Sequence, residues 1–366
     1  MTLARYVAWR YLMAFMRVVL IAFALIFLFQ FIENVRKFLE ASGSLTVLAQ
    51  LTLLQLPSSL NRLFPLIMLI SSLTLFAGLS RSSELVVSRA AGVSALKMVF
   101  VPVAIAALLG VIATTVFNPI IATSTRQYDL LEDEITNSSR SVLSISDDGL
   151  WLRQIVGDRQ SVIQARRSSP EGATLYDVDF HVFGADSGLE ERIVARSAEL
   201  KDHSWILRDV KRWEINPDNI NIVGPIIERD RDVLETDLTV EQILDSFSPP
   251  QTIPFWELSA FIERLEISGF SATRHRQFFQ SALATPALYV AMVLIGAGFT
   301  MRHARFGKFG LMVLMTVLAG FTLYSFNNVA ASLGAAGTIP VAVAAWAPSL
   351  SAVLLVLGLL LHLEDG

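Results

Sequence analysis

The chain has 366 residues, of which 53% are hydrophobic and 17% are charged, and its mean hydropathy is +0.53. A soluble domain of this length would carry more charge. Cysteine is absent, which excludes a disulfide scaffold and any thiolate metal site. Long stretches carry no charge: residues 63–80, 98–125, 277–301 and 309–361. Because a helix needs roughly 20 apolar residues to cross a bilayer, these stretches predict a membrane protein with several spans.

Six membrane-spanning helices are predicted from these stretches and from an apolar run near the N-terminus. Their predicted bounds, in chain order, are 11–32, 57–80, 98–121, 277–300, 309–328 and 341–362. The small residues at 330–337 predict a turn between the last two spans.

Lysine and arginine in the short loops predict how the spans are oriented, since basic loops stay in the cytoplasm. Eight basic residues lie on one side: Arg5, Arg10, Arg81, Arg89, Lys97, Arg302, Arg305 and Lys308. The opposite short loops hold Arg36 and Lys37. Both termini are therefore predicted to be cytoplasmic. The segment between spans three and four then faces outward, into the periplasm if the cell is Gram-negative.

The outward segment has the pattern of a β domain. Apolar residues at 176, 178, 180 and 182 alternate with polar ones, which places them on one face of a strand. Further strands are predicted at 150–156, 161–165, 192–199 and 204–213, and a short helix at 255–266. The predicted organisation is three spans in 1–121, a β domain in 122–254, and the connecting helix with three more spans in 255–366.

The connector between spans two and three predicts a short cytoplasmic helix over about 82–92. Ser82 or Ser83 can cap its start, Glu84 in the first turn suits the helix dipole, and Gly92 can end it. Spacing alone leaves two interpretations open. The helix is either an ordinary interfacial connector or a coupling helix that docks into a separate ATPase and passes on its motion.

Basic residues near the outer ends of the spans are candidates for holding lipid phosphates. They are Arg36, Lys37, Arg62 and Arg126. Charge-assisted hydrogen bonds to phosphate are strong. The alternative is that these long side chains anchor the helix ends at headgroup height.

Apolar side chains at the same level are candidates for lining a cavity that takes acyl chains. They are Leu63, Phe64, Phe27 and Phe31. Phe27 and Phe31 are four residues apart and share one face of the first span. The alternative for each is ordinary packing or contact with lipid.

Enzymatic chemistry has little support in the sequence. The five histidines share no metal-ligand spacing, and neither a Gly-x-Ser-x-Gly elbow nor a Gly-x-x-x-x-Gly-Lys-Ser/Thr phosphate loop is present. The sequence therefore predicts no catalytic residues, no metal site and no cofactor bound by this chain, and no nucleic-acid partner. Without such a phosphate loop, any energy from ATP must come from another protein.

The connector sequence "SRSSELVVSRAAGVS" at 80–94 resembles the cytoplasmic helix of the LptF/LptG family of lipopolysaccharide-export permeases. The resemblance covers essentially the whole chain. It includes "RY" at 5–6, "LFPLIMLISSL" at 63–73, "GLWLR" at 149–153 and "IPVAVAAWAPSL" at 339–350. The run "GLWLRQIVGDRQSVIQARR" and the C-terminal region are more similar to LptG than to LptF.

This resemblance implies a permease without its own ATPase site. Family members pair one LptF-like with one LptG-like chain and bind two copies of a cytoplasmic ATPase, which uses ATP and Mg²⁺. They extract lipopolysaccharide from the inner membrane and pass it through β-jellyroll domains to periplasmic bridge proteins, and a single-span regulator is a further candidate partner. On this resemblance Glu84 engages the ATPase, with Arg81, Ser83 and Arg89 as neighbours.

For the lipid, the resemblance implies that Arg36, Lys37 and Arg126 occupy positions used to hold phosphorylated sugars. The sequence departs from the pattern at Gln30, where relatives can carry lysine, and at Asp129, where they can carry arginine. Two other functions remain open. The chain is either the LptF-type partner subunit or a membrane-anchored periplasmic scaffold or sensor that transports nothing.

Overall fold

The computed structural model describes residues 3–42, 44–136, 143–146, 149–156, 159–169, 173–184, 188–201, 203–215, 225–236, 238–239, 249–301 and 309–365. The chain divides into two compact units. The helical unit comprises Met1–Thr136, Pro254–Trp256 and Thr273–Gly366, and the β unit comprises Asn137–Ile253 and Glu257–Ala272. The basic residues Arg302, Arg305 and Lys308, used above to predict orientation, lie outside the described residues.

Six stretches of helix in the described residues are long and apolar enough to cross a membrane, as the sequence predicts. They are α1 (Leu3–Ser42), α2 (Leu45–Arg81), α4 (Ala95–Ile112) continued through a π-helical turn (Ala113–Phe117) into α5 (Asn118–Thr136), α7 (Thr273–Thr300), α8 (Phe309–Ala335) and α9 (Val341–Asp365). Between the second and third spans lies the seven-residue helix α3 (Glu84–Ala90), and α6 (Phe255–Ile267) follows the β strands.

Several helices extend well beyond the predicted spans. Helix α1 starts at Leu3 and ends at Ser42, and α2 starts at Leu45, twelve residues before Pro57. Polar residues lie outside the apolar part of a bilayer but can still be helical. Hydropathy therefore underestimates the lengths of α1 and α2. The turn predicted at 330–337 is wrong in its first part, because α8 continues to Ala335 and the chain reverses only around Gly337, whose φ is +73°. Alanine-rich sequence favours helix until a residue with positive φ ends it.

The centre of the helical unit is formed by α2 and α7. Their close approach depends on small residues: the hydroxyl of Ser72 donates to the Val293 carbonyl at 2.8 Å, and a Cβ at Gly296 would lie 2.6 Å from Ser72 Oγ. Gly110 on α4 meets α7 in the same way, because a Cβ there would lie 2.5 Å from the Pro286 Cα. Small residues let helix backbones approach closely where no hydrophobic effect drives them together.

The β unit holds a seven-stranded antiparallel sheet whose strands follow chain order. The strands are β1 (Leu143–Ser146), β2 (Gly149–Val156), β3 (Arg159–Ser168), β4 (Thr174–Phe183), β5 (Leu189–Lys201), β6 (Ser204–Glu214) and β7 (Ile227–Glu235). The prediction of strands is confirmed for β2 to β6. Strands β1 and β7 were not predicted: β1 is four residues long, and β7 reads "IERDRDVLE", which has almost no apolar alternation.

The apolar face of the sheet forms the core of the β unit. Phe180 and Trp205 are fully buried there with their rings in edge contact, and Leu265 of α6 packs into the same cluster. The buried Gln154 carbonyl accepts hydrogen bonds from Trp205 Nε1 and from the Thr236 hydroxyl. The β unit therefore differs in extent from the predicted 122–254: residues 122–136 continue the third span as α5, and most of α6 packs against the sheet.

Candidate functional site

The connector helix α3 is bounded by two residues with positive φ. Ser83 has φ of +60° and separates it from α2, and its carbonyl accepts from the Val87 amide. At the other end Gly92 has φ of +81°, and the Val93 amide donates back to the Ser88 carbonyl at 3.1 Å. This is the hydrogen-bond pattern of a Schellman end, so the prediction that Gly92 ends the helix is confirmed.

The Glu84 carboxylate accepts hydrogen bonds from three other side chains in this region. Arg10 Nη1 lies 2.9 Å from both carboxylate oxygens, the Tyr6 hydroxyl donates to Oε2 at 2.9 Å, and the Ser82 hydroxyl donates to Oε1 at 2.8 Å. The hydrogen bond from Ser82, followed by those from Tyr6 and Arg10, lowers the pKa of Glu84 below its ordinary value against the opposing effect of desolvation. Glu84 is therefore a carboxylate at neutral pH.

The sequence predicted that Ser82 or Ser83 caps the start of the helix. In the structure the Ser82 hydroxyl instead donates to the Glu84 carboxylate. Arg81 and Ser83 lie beside Glu84 and are exposed, and the side chain of Arg89 lies outside the described residues. The sequence singled out Glu84 but missed Tyr6 and Arg10, which are more than 70 residues away along the chain. Their four-residue spacing on α1 was a usable signal for a shared face.

The surface of α3 divides into an anchored side and an open side. Leu85 is buried in the core of the helical unit. Val86 and Val87, which follow it, are 51% and 67% exposed. Val86 and Val87 therefore form a small apolar surface on the open side of α3.

A cavity of about 210 Å³ lies between α1, α2 and the start of α5. Its lining is entirely apolar: Phe23, Leu53, Leu56, Pro57, Leu60, Phe64, Phe117 and Ile120. Phe64 was predicted for such a wall. Leu63, Phe27 and Phe31 are not among the lining residues, although Phe27 and Phe31 do stack with ring centroids 5.9 Å apart.

Phe64 connects the cavity to three helices. Its ring lies 5.9 Å from Phe117 at the π-helical turn, 6.4 Å from Phe15 on α1 and 6.4 Å from Tyr289 on α7, all measured between centroids. A change in the position of any of these helices would therefore change the shape of the cavity wall.

The predicted lipid-binding cations fall into two groups. Arg36 and Lys37 both pair with Glu33 on the same helix, at 2.9 Å and 3.3 Å. Arg62 and Arg126 are exposed, and no carboxylate within the described ranges forms an ion pair with either. Gln30 stands where relatives can carry lysine. It donates a hydrogen bond to the Ser59 hydroxyl and so links α1 to α2.

The π-helical turn in the third span is a feature that the sequence analysis missed. Pro119 has no amide hydrogen to donate to the Thr115 carbonyl four residues earlier. The indole of Trp256 donates to that carbonyl at 3.2 Å, and the Asn118 side chain accepts from the Phe255 amide at 2.7 Å. Phe255 and Trp256, which belong to the helical unit, are thereby fixed to the interruption in the span. The Asn-Pro pair inside a charge-free run was the signal for this interruption.

Comparison with known proteins gives one family and several relatives. The family described as "Lipopolysaccharide export system permease LptF/LptG" matches residues 5–362. The chain is 24% identical over 370 residues to "Lipopolysaccharide export system permease protein LptG" of Haemophilus influenzae, covering 100% of this chain and 99% of the relative. It is 24% identical over 336 residues to the protein of the same name from Escherichia coli K12, covering 91% and 90%.

The family match spans both units and includes the connector helix α3 and the cavity-lining residues. The curated relatives carry the LptG name. The chain therefore belongs to the LptF/LptG family of lipopolysaccharide export permeases and is LptG-like.

Proposed function

We propose that this chain is the LptG-type permease subunit of an ATP-driven lipopolysaccharide exporter in the inner membrane of a Gram-negative bacterium. The observation that carries the proposal is an exposed helix, α3, in the loop between two spans of a chain that belongs to this family. The relatives' names supply the cargo, lipopolysaccharide.

The ATPase that drives export docks on the exposed side of α3. Val86 and Val87 supply an apolar contact there, and the exposed Arg81 and Ser83 are its polar neighbours. The sequence adds Arg89 as a further candidate. In this proposal the partner ATPase binds ATP and Mg²⁺, and the permease binds no cofactor of its own. On this proposal, Glu84→Ala should weaken ATPase association or uncouple transport.

A second permease of the LptF type covers the first and fifth spans. These spans have the least cover within the chain: Leu20 and Phe29 on α1 and Leu314 and Phe321 on α8 are all more than half exposed. Spans two and four, in contrast, are mostly buried. A lipid that enters sideways between the two permeases then passes along α1.

The lipid is held by charge at its head and by apolar walls at its tails. Arg62 and Arg126, which form no ion pair with a carboxylate of the described residues, are the first candidates for the phosphates. Arg36 and Lys37 follow, since they would have to leave Glu33. Phe64, with Leu63 beside it, lies at the apolar wall.

In the proposed orientation both termini are cytoplasmic and the β unit is periplasmic. The β unit passes the lipid to periplasmic bridge proteins, with a single-span regulator as a further partner. The apolar residues of the sheet, including Val178, Phe180 and Leu207, are fully buried. Acyl chains can therefore enter this unit only if its core opens.

A pull-down from the native host in gentle detergent tests the proposal. The tagged chain should bring down an ATPase and a second six-span permease. Val87→Asp should remove most of the ATPase, since it places a charge in the proposed apolar contact. Val233→Asp is the matched control, because Val233 is also more than half exposed but lies on β7. Retention of the ATPase by Val87→Asp, or its absence from the wild-type complex, would contradict the proposal.

A further inference from the structure

We propose that Tyr6 and Arg10, acting through the carboxylate of Glu84, fasten helix α3 to the first span, so that displacement of α3 moves the α1 wall of the apolar cavity. This inference rests on the proposed function. It specifies how motion of an ATPase docked on α3 reaches the place where the lipid tails lie. Tyr6 and Arg10 are positioning residues in this scheme and touch neither the ATPase nor the lipid.

The first support is that both carboxylate oxygens of Glu84 accept hydrogen bonds from other parts of the chain. Oε1 accepts from Arg10 and Ser82, and Oε2 accepts from Arg10 and Tyr6. Three donor groups of this chain therefore converge on one carboxylate, from Tyr6 and Arg10 on α1 and from Ser82 at the end of α2. The carboxylate therefore joins two parts of this chain.

The second support is that apolar packing reinforces the same junction. Tyr6 and Arg10 are one helical turn apart, and the Arg10 guanidinium lies 5.2 Å from the centroid of the Tyr6 ring. Val7, between them, is buried in the same cluster as Leu85 of α3 and Leu79 at the end of α2. The polar contacts thus lie at the edge of a packed apolar contact between the two segments, and this edge restricts their relative rotation.

The third support is the size of α3. An isolated helix of seven residues is unstable in water, so its orientation must come from the residues that hold it. Its two ends are fixed only through single residues with positive φ, Ser83 and Gly92. Without the Glu84 contacts, the packing of Leu85 would be left to oppose rotation of α3 about these ends.

The fourth support is the continuity of α1. No proline interrupts this helix, whereas α2 contains Pro57 and Pro65. Phe23, which lines the cavity, lies 13 residues beyond Arg10, a distance of about 20 Å along a helix. A push on the Tyr6–Arg10 end is therefore delivered to the cavity wall without a hinge between them.

The test uses the complete exporter, purified from the host and reconstituted into vesicles that contain lipopolysaccharide. Two quantities are measured: ATP hydrolysed, and lipopolysaccharide transferred to the soluble bridge protein of the same host. Arg10→Gln removes the ion pair with Glu84 but leaves the exposed valines of α3 intact. Arg5→Gln is the matched control, since it removes the same charge from an exposed position at the same helix end.

We expect Arg10→Gln to keep the ATPase in the complex. The lipopolysaccharide transferred per ATP should fall by about tenfold, which is within the range by which coupled sites affect one another. Arg5→Gln should match the wild type. An Arg10→Gln exporter that matches Arg5→Gln would overturn the inference. A wild-type complex that transfers no lipid would instead overturn the proposed function on which it rests.

A covalent cross-link in place of the Arg10–Glu84 contact distinguishes two roles for Glu84: fastening α3 to α1, and contacting the ATPase directly. The chain has no cysteine, so Arg10→Cys combined with Glu84→Cys introduces a unique pair that a short thiol-reactive cross-linker can bridge. Linking should restore transfer per ATP to within about threefold of the wild type, while the reagent should do nothing for Arg10→Cys alone. If the linked pair remains as defective as the unlinked pair, Glu84 acts on the ATPase directly and the inference is wrong.

Discussion

The β unit and the helical unit differ in how far they bury their large apolar side chains. The β unit buries its large apolar residues, such as Phe180 and Trp205, and covers its outer face with cross-strand ion pairs, such as Arg192–Asp179 at 2.6 Å. The helical unit leaves many large apolar residues of α1 and α8 exposed, and some of its polar contacts join helices, such as that of Ser72 with the Val293 carbonyl. The first unit completes its burial alone, and the second needs lipid or a partner to complete it.

The largest expected effect comes from the core of the β unit. Trp205→Ala should destabilise that unit by about 3–5 kcal/mol, because it leaves a cavity and removes the indole that donates to the buried Gln154. Limited proteolysis of the full-length chain should show rapid cleavage within the β unit. Val233→Ala, on an exposed position of β7, should leave the pattern unchanged. Equal proteolysis of both variants would show that the sheet has no core of its own.

The next effect concerns the interior of the helical unit. Gly110→Ala should cost about 1–3 kcal/mol, since its Cβ would lie 2.5 Å from backbone of α7 at Pro286. Thermal unfolding in detergent measures it. Gly78→Ala is the matched control, because no atom lies within 4 Å of the added Cβ, and alanine should stabilise that helix slightly. A stable Gly110→Ala chain would mean that α4 and α7 do not pack this closely.

A smaller effect is expected at the π-helical turn. Trp256→Phe should cost about 1 kcal/mol, because the Thr115 carbonyl loses its donor. Pro119→Ala restores an amide that can take over this role, so Trp256→Phe should cost less in the Pro119→Ala background. A double-mutant cycle on thermal unfolding measures the difference. Strictly additive costs would show that the indole does not substitute for the missing amide.

The smallest effect is expected on the charged outer face of the sheet. Arg192 donates to both oxygens of Asp179, which raises the pKa of Arg192, but the arginine side chain is 48% exposed. Solvent screening therefore limits the cost of Arg192→Gln to under about 1 kcal/mol. The cost should shrink further in high salt, as measured by unfolding of the chain at two ionic strengths. A salt-independent loss of several kcal/mol would contradict a surface role.

The sequence predicted the spans well because a bilayer imposes a simple rule on composition. It predicted β2 to β6 because alternation reports a half-buried strand. It missed β7, because an exposed edge strand needs no apolar alternation, and it missed the π-helical turn, because hydropathy does not register a proline that a helix tolerates.

The candidate site was predicted only in part, for a different physical reason. Glu84 and Phe64 stood out from local pattern, whereas their partners are set by how distant helices pack. Tyr6 and Arg10 reach Glu84 from another span, and Phe23 and Ile120 meet Phe64 across the cavity. Contacts of this kind depend on the rotation of each helix about its axis, which composition does not specify.

Labelling of single cysteines in living cells tests the central claim most directly. The cysteine-free chain allows Val87→Cys on α3 and Val233→Cys on β7 to be compared with one membrane-impermeant maleimide after the outer membrane is made permeable. The proposed function predicts that cells with an unbroken inner membrane label Val233→Cys and leave Val87→Cys unlabelled until that membrane is broken. Labelling of Val87→Cys while the inner membrane is unbroken would place α3 outside the cytoplasm, where no ATPase could bind it.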